Sequence, residues 1–526
     1  MKKLSYGLII LSLVFLSLDA GLLDAPMAEG QEPPPLLQGL GPSLPTEEQA
    51  PILPQGLSEG RGSEQGEPGL PAGLQGEPQF PSEAEPEREP QLPGGLEGLP
   101  QPSSVTPSEE KPLNEAKIKT AVEELGFSGF WEVRGGVRTG NDQYEKDASL
   151  GETRLQMEIE PVLGEAIFNL TADFVYDPVL GDHDIDLESG HGWLDLREAN
   201  VSLSPLGFLD LKAGRQILTW GTGDLIFIND LFPKDWQAFF VGRDEEYLKA
   251  PSDAIKTSVF TQIANLDIVY TPKFDPDRFV HGERLSYYST ALGRSAGRDA
   301  VIEADLPNSW FEDYELALRI AKNLGAYELS LYGYKGFWKS PGGFDPATGK
   351  ALFPELNVYG GSIRGPLARG IANIEIGYYD SREDRSGDAP YRNNSEFRFL
   401  TGYEMDLPQI ARDFTVGLQY YLEVLLDYDN YLLSLPAGMP VRDEHRHLLT
   451  LRLTKLLMNQ NLTLSLFTFY SPSDSDAYLR PKVNYKITDH WTAEIGGNWF
   501  LGSSNQTFFG QFEDNSNVYS AIRYGF

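Results

Sequence analysis

Cysteine is absent from all 526 residues, and with it go structural disulfides, thiolate-bound zinc, iron–sulfur clusters and covalently attached haem. Basic residues are few: 43 Lys and Arg stand against 77 Asp and Glu, a formal charge of −34 that repels a phosphate backbone and excludes nucleic acid as a partner. After the first twenty-odd residues no apolar run reaches the ~18 positions a spanning helix needs. That excludes a helical membrane protein but not a β-barrel. No Walker loop, H-E-x-x-H or C-x-x-C-H is present, so neither an enzyme nor a cofactor is expected.

What is present divides into segments of different composition. Residues 1–28 have the form of a secretory signal peptide, with Lys2 and Lys3, the apolar run Leu4–Leu18, and small residues at Ala20, Ala25 and Ala28. Residues 29–112 form a Pro/Gly/Glu-rich arm. Within 31–112 lie 18 of the 37 prolines and 14 acidic residues, against Arg61, Arg88 and Lys111 and one aromatic, Phe80. Such a stretch buries too little apolar surface to offset its ordering entropy, so a disordered arm is expected. Its L-P-x-G-L repeats at Leu53–Leu57, Leu70–Leu74 and Leu92–Leu96 read as low-complexity drift or as a docking motif for a periplasmic partner. Residues 113–126 are a short helix and linker, with Asn114 as cap.

Residues 127–526 alternate with period two. Leu316, Leu318 and Ile320 interleave with Glu315 and Arg319, and Val416, Leu418 and Tyr420 with Gln419 and Glu423. The pattern predicts about eighteen strands (16–18), the first near residue 127 and the last near 517. Short turns such as Glu160–Glu165, Asn323–Gly325 and Lys486–Asp489 alternate with longer polar connections, the largest being 220–253 and 272–313. Short turns at one end and long loops at the other are the signature of a transmembrane antiparallel β-barrel in a bacterial outer membrane. Lipid offers unpaired backbone groups no water, so such a sheet must close, and at this strand number it encloses an aqueous lumen. An even number of strands puts the N-terminal arm in the periplasm.

The last strand presents Val518, Ser520, Ile522, Tyr524 and the terminal Phe526 on one face. It resembles the C-terminal signal of outer-membrane barrels, which implies recognition of Ile522, Tyr524 and Phe526 by the barrel assembly machinery. Ser520 departs from the larger apolar residue usual there. Leu211-Lys212-Ala213-Gly214-Arg215-Gln216, followed by Trp220-Gly221, is similar to the G-R-Q element of general porins and of alginate-export-like families. The resemblance implies a porin-like channel whose third loop folds inward to narrow the pore. Alternation would point Arg215 at lipid, so a bulge at Gly214 or a rim position is expected.

Residues 220–253 mix large apolar groups (Ile226, Ile228, Phe232, Trp236, Phe239 and Phe240) with charge, which suits a loop packed back into a barrel. The expected constriction residues are Trp220, Asp224, Asp230, Asp235, Arg243, Asp244, Glu245 and Glu246. Facing them, the polar strand faces carry Arg134, Arg138, Arg154, Arg319, Arg398, Arg446, Arg452, Arg480 and Arg523. Opposed charges across water would set up a transverse field that filters solutes. The competing role for each arginine is a wall ion pair with a Glu such as Glu158, Glu315 or Glu396. His445-x-His447 lacks an evident third ligand, and Asp182, Asp184 and Asp186 lack the Gly and Glu of a calcium loop, so no metal is expected.

The expected function is passive diffusion of ions or small polar solutes. The alternatives are a scaffold or sheath barrel holding a periplasmic or lumenal partner, and a polysaccharide-export barrel. Outer-membrane lipid is an implied partner, and assembly into a homo-oligomer is open.

Overall fold

The computed structural model describes residues 126–181 and 184–526; the signal peptide, the arm, the short helix and Asp182 lie outside the described residues. The chain forms a closed antiparallel barrel of eighteen strands. They are β1 (Ser128–Arg138), β2 (Ala148–Ile159), β3 (Ala166–Tyr176), β4 (Leu194–Leu206), β5 (Leu209–Ile217), β6 (Pro251–Phe260), β7 (Asn265–Thr271), β8 (Glu315–Leu324) and β9 (Tyr327–Phe337). The second half comprises β10 (Glu355–Leu367), β11 (Gly370–Ser381), β12 (Glu396–Asp406), β13 (Phe414–Leu425), β14 (His445–Leu457), β15 (Leu462–Ser471), β16 (Asp476–Lys486), β17 (Trp491–Gly502) and β18 (Asn517–Gly525). The first strand begins at Ser128 and the last at Asn517, against expected starts near 127 and 517.

The ladder closes where β1 pairs with β18, from Phe130 opposite Gly525 to Arg138 opposite Asn517. Every strand edge is thereby paired, as a bilayer demands. Strands run from 7 residues in β7 to 13 in β4, around the ~9–11 that a tilted strand needs to cross. Side chains follow the pleat. Trp131 and Val133 of β1, Leu318 and Ile320 of β8, Ile374, Ile376 and Tyr378 of β11, and Ile495 of β17 face outward and exposed. Glu132, Arg134, Glu315, Glu375 and Glu494 point inward and are buried. An outward apolar belt over an inward polar wall is the arrangement lipid requires.

Connections alternate as expected, with one exception: the loop between β15 and β16, on the long-loop side, is only residues 472–475. Its tightness brings Asp474 onto Arg446 of the neighbouring β14 at 2.7 Å.

At the short-turn end the terminal residue completes the seam. Phe526 exchanges backbone hydrogen bonds with Gly129 at 3.0 and 3.2 Å, and its ring stacks on Phe127 at 5.6 Å. Ile522 and Phe526 face outward, and Tyr524 packs on Trp491 at 5.0 Å. Replacing Phe526 with Ala removes a stack of about 0.5–1.5 kcal/mol at the closing seam. A smaller fraction of F526A should reach the folded, heat-modifiable form on electrophoresis, and an unchanged fraction would show that the backbone pairs alone hold the seam.

Candidate pore constriction and lumen wall

The third loop, 218–250, begins where Gly214 turns β5. Its φ of +119° suits glycine, and a Cβ there would lie 2.3 Å from the Ala199 carbonyl oxygen. The ladder with β4 keeps its register at this point, so the turn is a twist and not the expected bulge. Arg215 is buried; it donates to the carbonyl of Leu196 and pairs with Asp253 at 3.0 Å.

From there the loop enters the lumen. Its near anchor is Glu375 of β11, whose carboxylate accepts from Thr222 N (2.7 Å), Thr222 Oγ1 (3.0 Å), Asn229 N (2.8 Å) and Asn229 Nδ2 (2.9 Å). Gln419 of β13 binds the Asp224 backbone on both sides, accepting from its N–H at 2.7 Å and donating to its carbonyl at 2.8 Å. Glycines make room for the loop. A Cβ at Gly360 would lie 1.7 Å from Asn229 Oδ1, and one at Gly377 would lie 2.6 Å from Ile228 Cγ2.

Across the lumen the loop carries α1 (Trp236–Val241), capped by Asp235, whose carboxylate accepts from Ala238 N at 2.7 Å. Phe239 and Phe240 pack with Tyr478, Phe500 and Phe512 at centroid separations of 5.0–5.8 Å. After α1, Arg243 pairs with Glu152 of β2 at 2.5 Å. Since β2 and β11 lie nine strands apart in the ring of eighteen, the loop is fixed to opposite walls.

The acidic residues divide into two groups. Asp230 and Asp235 are buried and internal: Asp230 accepts from Thr219 (2.7 Å) and pairs with Lys234 (2.9 Å), and Asp235 caps α1 and meets Arg278 at 3.4 Å. They hold the loop's shape and do not lie at its accessible edge. Trp220 is likewise packed, edge-on to Phe232 at 5.0 Å. Asp224, Asp244, Glu245 and Glu246 are partly accessible and face the basic wall. Arg452 grips Asp224 through two hydrogen bonds of 2.5 and 2.8 Å. Glu245 lies between Arg452 (3.4 Å) and Arg480 (3.5 Å), and Asp244 between Arg523 (2.6 Å) and Lys482 (3.5 Å), with Glu246 3.5 Å from Arg523. Burial pushes the Asp244 carboxyl up, but Arg523, Lys482 and Arg134 outweigh it and bring it down to about 2. Acids and bases thus meet in direct contact, where opposed charges across water had been expected.

The remaining predicted arginines make wall pairs. Arg134 pairs with Glu132 (3.0 Å) and Glu494 (2.7 Å), and Arg154 with Glu152 (2.7 Å) and Asp173. Arg319 pairs with Glu328, and Arg398 with Glu396 (2.7 Å) beneath the Tyr379 ring. Arg138 donates to the Arg284 carbonyl at 2.5 Å and so joins the wall to the fourth loop, 272–314. Sequence reasoning missed Glu375, Gln419, Gly360, Gly377 and Lys482. It also missed Tyr247, whose ring lies between the guanidiniums of Arg154 (4.3 Å) and Arg197 (4.6 Å). The signal available was the lone carboxylate in the inward row Asn373, Glu375, Gly377, Tyr379.

The expectation that G-x-S-x-G is absent is wrong by letter: Gly293-Arg294-Ser295-Ala296-Gly297 fits it. Ser295 pairs with Tyr288 in a small loop hairpin, whereas a nucleophile elbow needs a strand-to-helix turn. His447 accepts from or donates to Tyr420 Oη at 2.8 Å, and His445 lies 3.6 Å from Glu444.

No family model matches the chain, and no curated protein does. Among solved structures it is similar to OccK11 (OpdR) of Pseudomonas aeruginosa (10% identity, TM-score 0.44) and OccAB1 of Acinetobacter baumannii (10%, 0.45), with 76% of this chain and 95% of each of those covered. A mutant of the Rh. blastica porin aligns at 11% identity and TM-score 0.34 over 76% of this chain and 99% of that one. The closed ladder β1–β18 itself defines the class: an eighteen-strand antiparallel transmembrane β-barrel.

Two outcomes are expected here. E375A leaves donors of Thr222 and Asn229 unmade, at about 1–3 kcal/mol each, and G360A displaces Asn229. Both should speed hydrogen exchange across 222–230 while strand amides keep their protection, and unchanged exchange would remove Glu375 as the anchor. The second concerns Asp275 in the fourth loop, where burial and nearby Glu315, opposed by Lys339, raise the carboxyl to about 7. An unfolded Asp titrates near ~3.9. Between those values the folded state holds a proton the unfolded chain has released, so this contribution is present at low pH and lost as pH rises to about 7. The stability advantage of wild type over D275N, from thermal melts, should shrink from pH 5 to 8; a constant difference would refute the assignment.

Proposed function

We propose that this chain is an outer-membrane channel through which ions or small polar solutes diffuse passively, restricted by the inward-folded third loop. The observation that carries this reading is the loop's double anchoring, to Glu375 on one wall and Glu152 on the other, which leaves Asp224, Asp244, Glu245 and Glu246 against Arg452, Arg480, Lys482 and Arg523. Solutes pass beside this charged edge, so size exclusion dominates. The near balance of acids and bases supports weak ion selectivity. The exported-polysaccharide alternative calls for a track of one charge sign, and the mixed lumen charges weigh against it.

One observation favours a second reading. The apolar packing of α1 against Tyr478, Phe500 and Phe512 resembles a protein core, which suits a barrel closed at that level and used as a scaffold. Single-channel recording of the full-length protein in planar bilayers separates the two. The channel should give stable steps, a reversal potential near zero in a salt gradient, and larger steps in E375A/G360A. A folded barrel silent both as wild type and as this variant would overturn the channel in favour of the scaffold.

A further inference from the structure

The second loop, 177–193, and the fourth loop meet over the lumen at a cluster used by neither anchor of the third loop. His191, His281 and Glu283, the first some ninety residues from the other two, each offer a ligand atom within 4.8 Å of the others. The imidazoles lie 5.5 Å apart between centroids at a tilt of 49°, and His191 Nδ1 is 3.6 Å from Glu283 Oε2. A tetrahedral ion with bonds of about 2.0–2.2 Å needs ligand atoms about 3.3 Å apart. One pair is already close to that, and the others close by side-chain rotation. Two imidazoles and one carboxylate are a donor set for zinc-like divalent ions, with a position left for water.

The surroundings favour a cation. Arg278 binds Asp195 at 2.8 Å and Asp235 at 3.4 Å, and Arg284 binds Asp177 at 2.7 Å. Both guanidiniums beside the cluster are thus paired with carboxylates of their own, which leaves Glu283 to offer its charge to an ion. The frame is built: Asp186 accepts from Ser189 Oγ at 2.8 Å and its N–H donates to the His191 carbonyl at 3.1 Å, while Ile302 N–H donates to the His281 carbonyl at 2.8 Å. The side chains of His191 and Glu283, 24% and 39% exposed, leave an entry path.

We infer that His191, His281 and Glu283 form a binding site for a divalent transition-metal ion that clips the second loop to the fourth across the mouth of the barrel. Arg278 carries the clip to Asp235 at the start of α1, so the ion also steadies the third loop. The inference is independent of whether the barrel conducts.

The test is calorimetric titration of the untagged full-length protein in detergent with ZnCl2, alongside H191A, H281A, E283Q and the control H445A/H447A, each first shown to be folded by heat-modifiable mobility. Wild type and control should bind one equivalent, H191A and H281A should bind at least about tenfold more weakly, and Zn²⁺ should slow hydrogen exchange at 184–192 and 278–284 only where the site is intact. Visible d–d absorption on adding Co²⁺, lost in H191A, supplies a readout of coordination itself. No binding to folded wild type, or equal binding to H191A and H281A, would overturn the site.

Discussion

Closure of the backbone ladder is the constraint on which the rest depends. In a bilayer each unpaired N–H or C=O costs several kcal/mol, so a sheet has no stable edge there, and eighteen strands must form a ring. The ring settles two further matters. Side chains alternate between lipid and lumen, and the lumen is too wide for wall side chains alone to fill. The chain therefore needs a segment to occupy it, and the third loop has the required composition: an apolar helix for the wide upper space and charged ends for the walls.

The charge arrangement follows from the same geometry. A guanidinium on the inner face cannot sit unpaired beside the packed loop, and contact pairing with a loop carboxylate relieves both desolvation costs at once. Arg452 with Asp224 and Arg523 with Asp244 are such pairs. The result trades field for rigidity. Touching charges project little field into the remaining water, but they define where the loop lies.

How much of this the sequence discloses depends on range. Strand positions were legible because period-two alternation is local and the lipid face enforces it, even through β16 with its charged inner row. The inward direction of Arg134 or Arg480 followed from alternation alone. Which carboxylate each would meet did not, because partners across a lumen depend on loop trajectory. Asp230 and Asp235 look like Asp224 as letters, and only the fold reveals that two are internal struts and one faces the wall. Glu375 was hidden for the opposite reason, since a single acid on a polar face resembles any other lumen acid until the loop donors converge on it.

The same reasoning locates where the barrel can change state. The strands share one cooperative ladder, whereas the third loop is held by discrete groups, Glu375 and Gln419 on one wall and Glu152 with the basic row on the other. Discrete anchors can release singly, so the loop can open at one wall without breaking the ladder. Its upper face is tied through Asp235 and Arg278 to the fourth loop, and the fourth to the second at His191 and Glu283. A perturbation at the mouth therefore reaches the lumen through these loop contacts and through the wall residues that hold the fourth loop, Arg138 of β1 and Asp195 of β4.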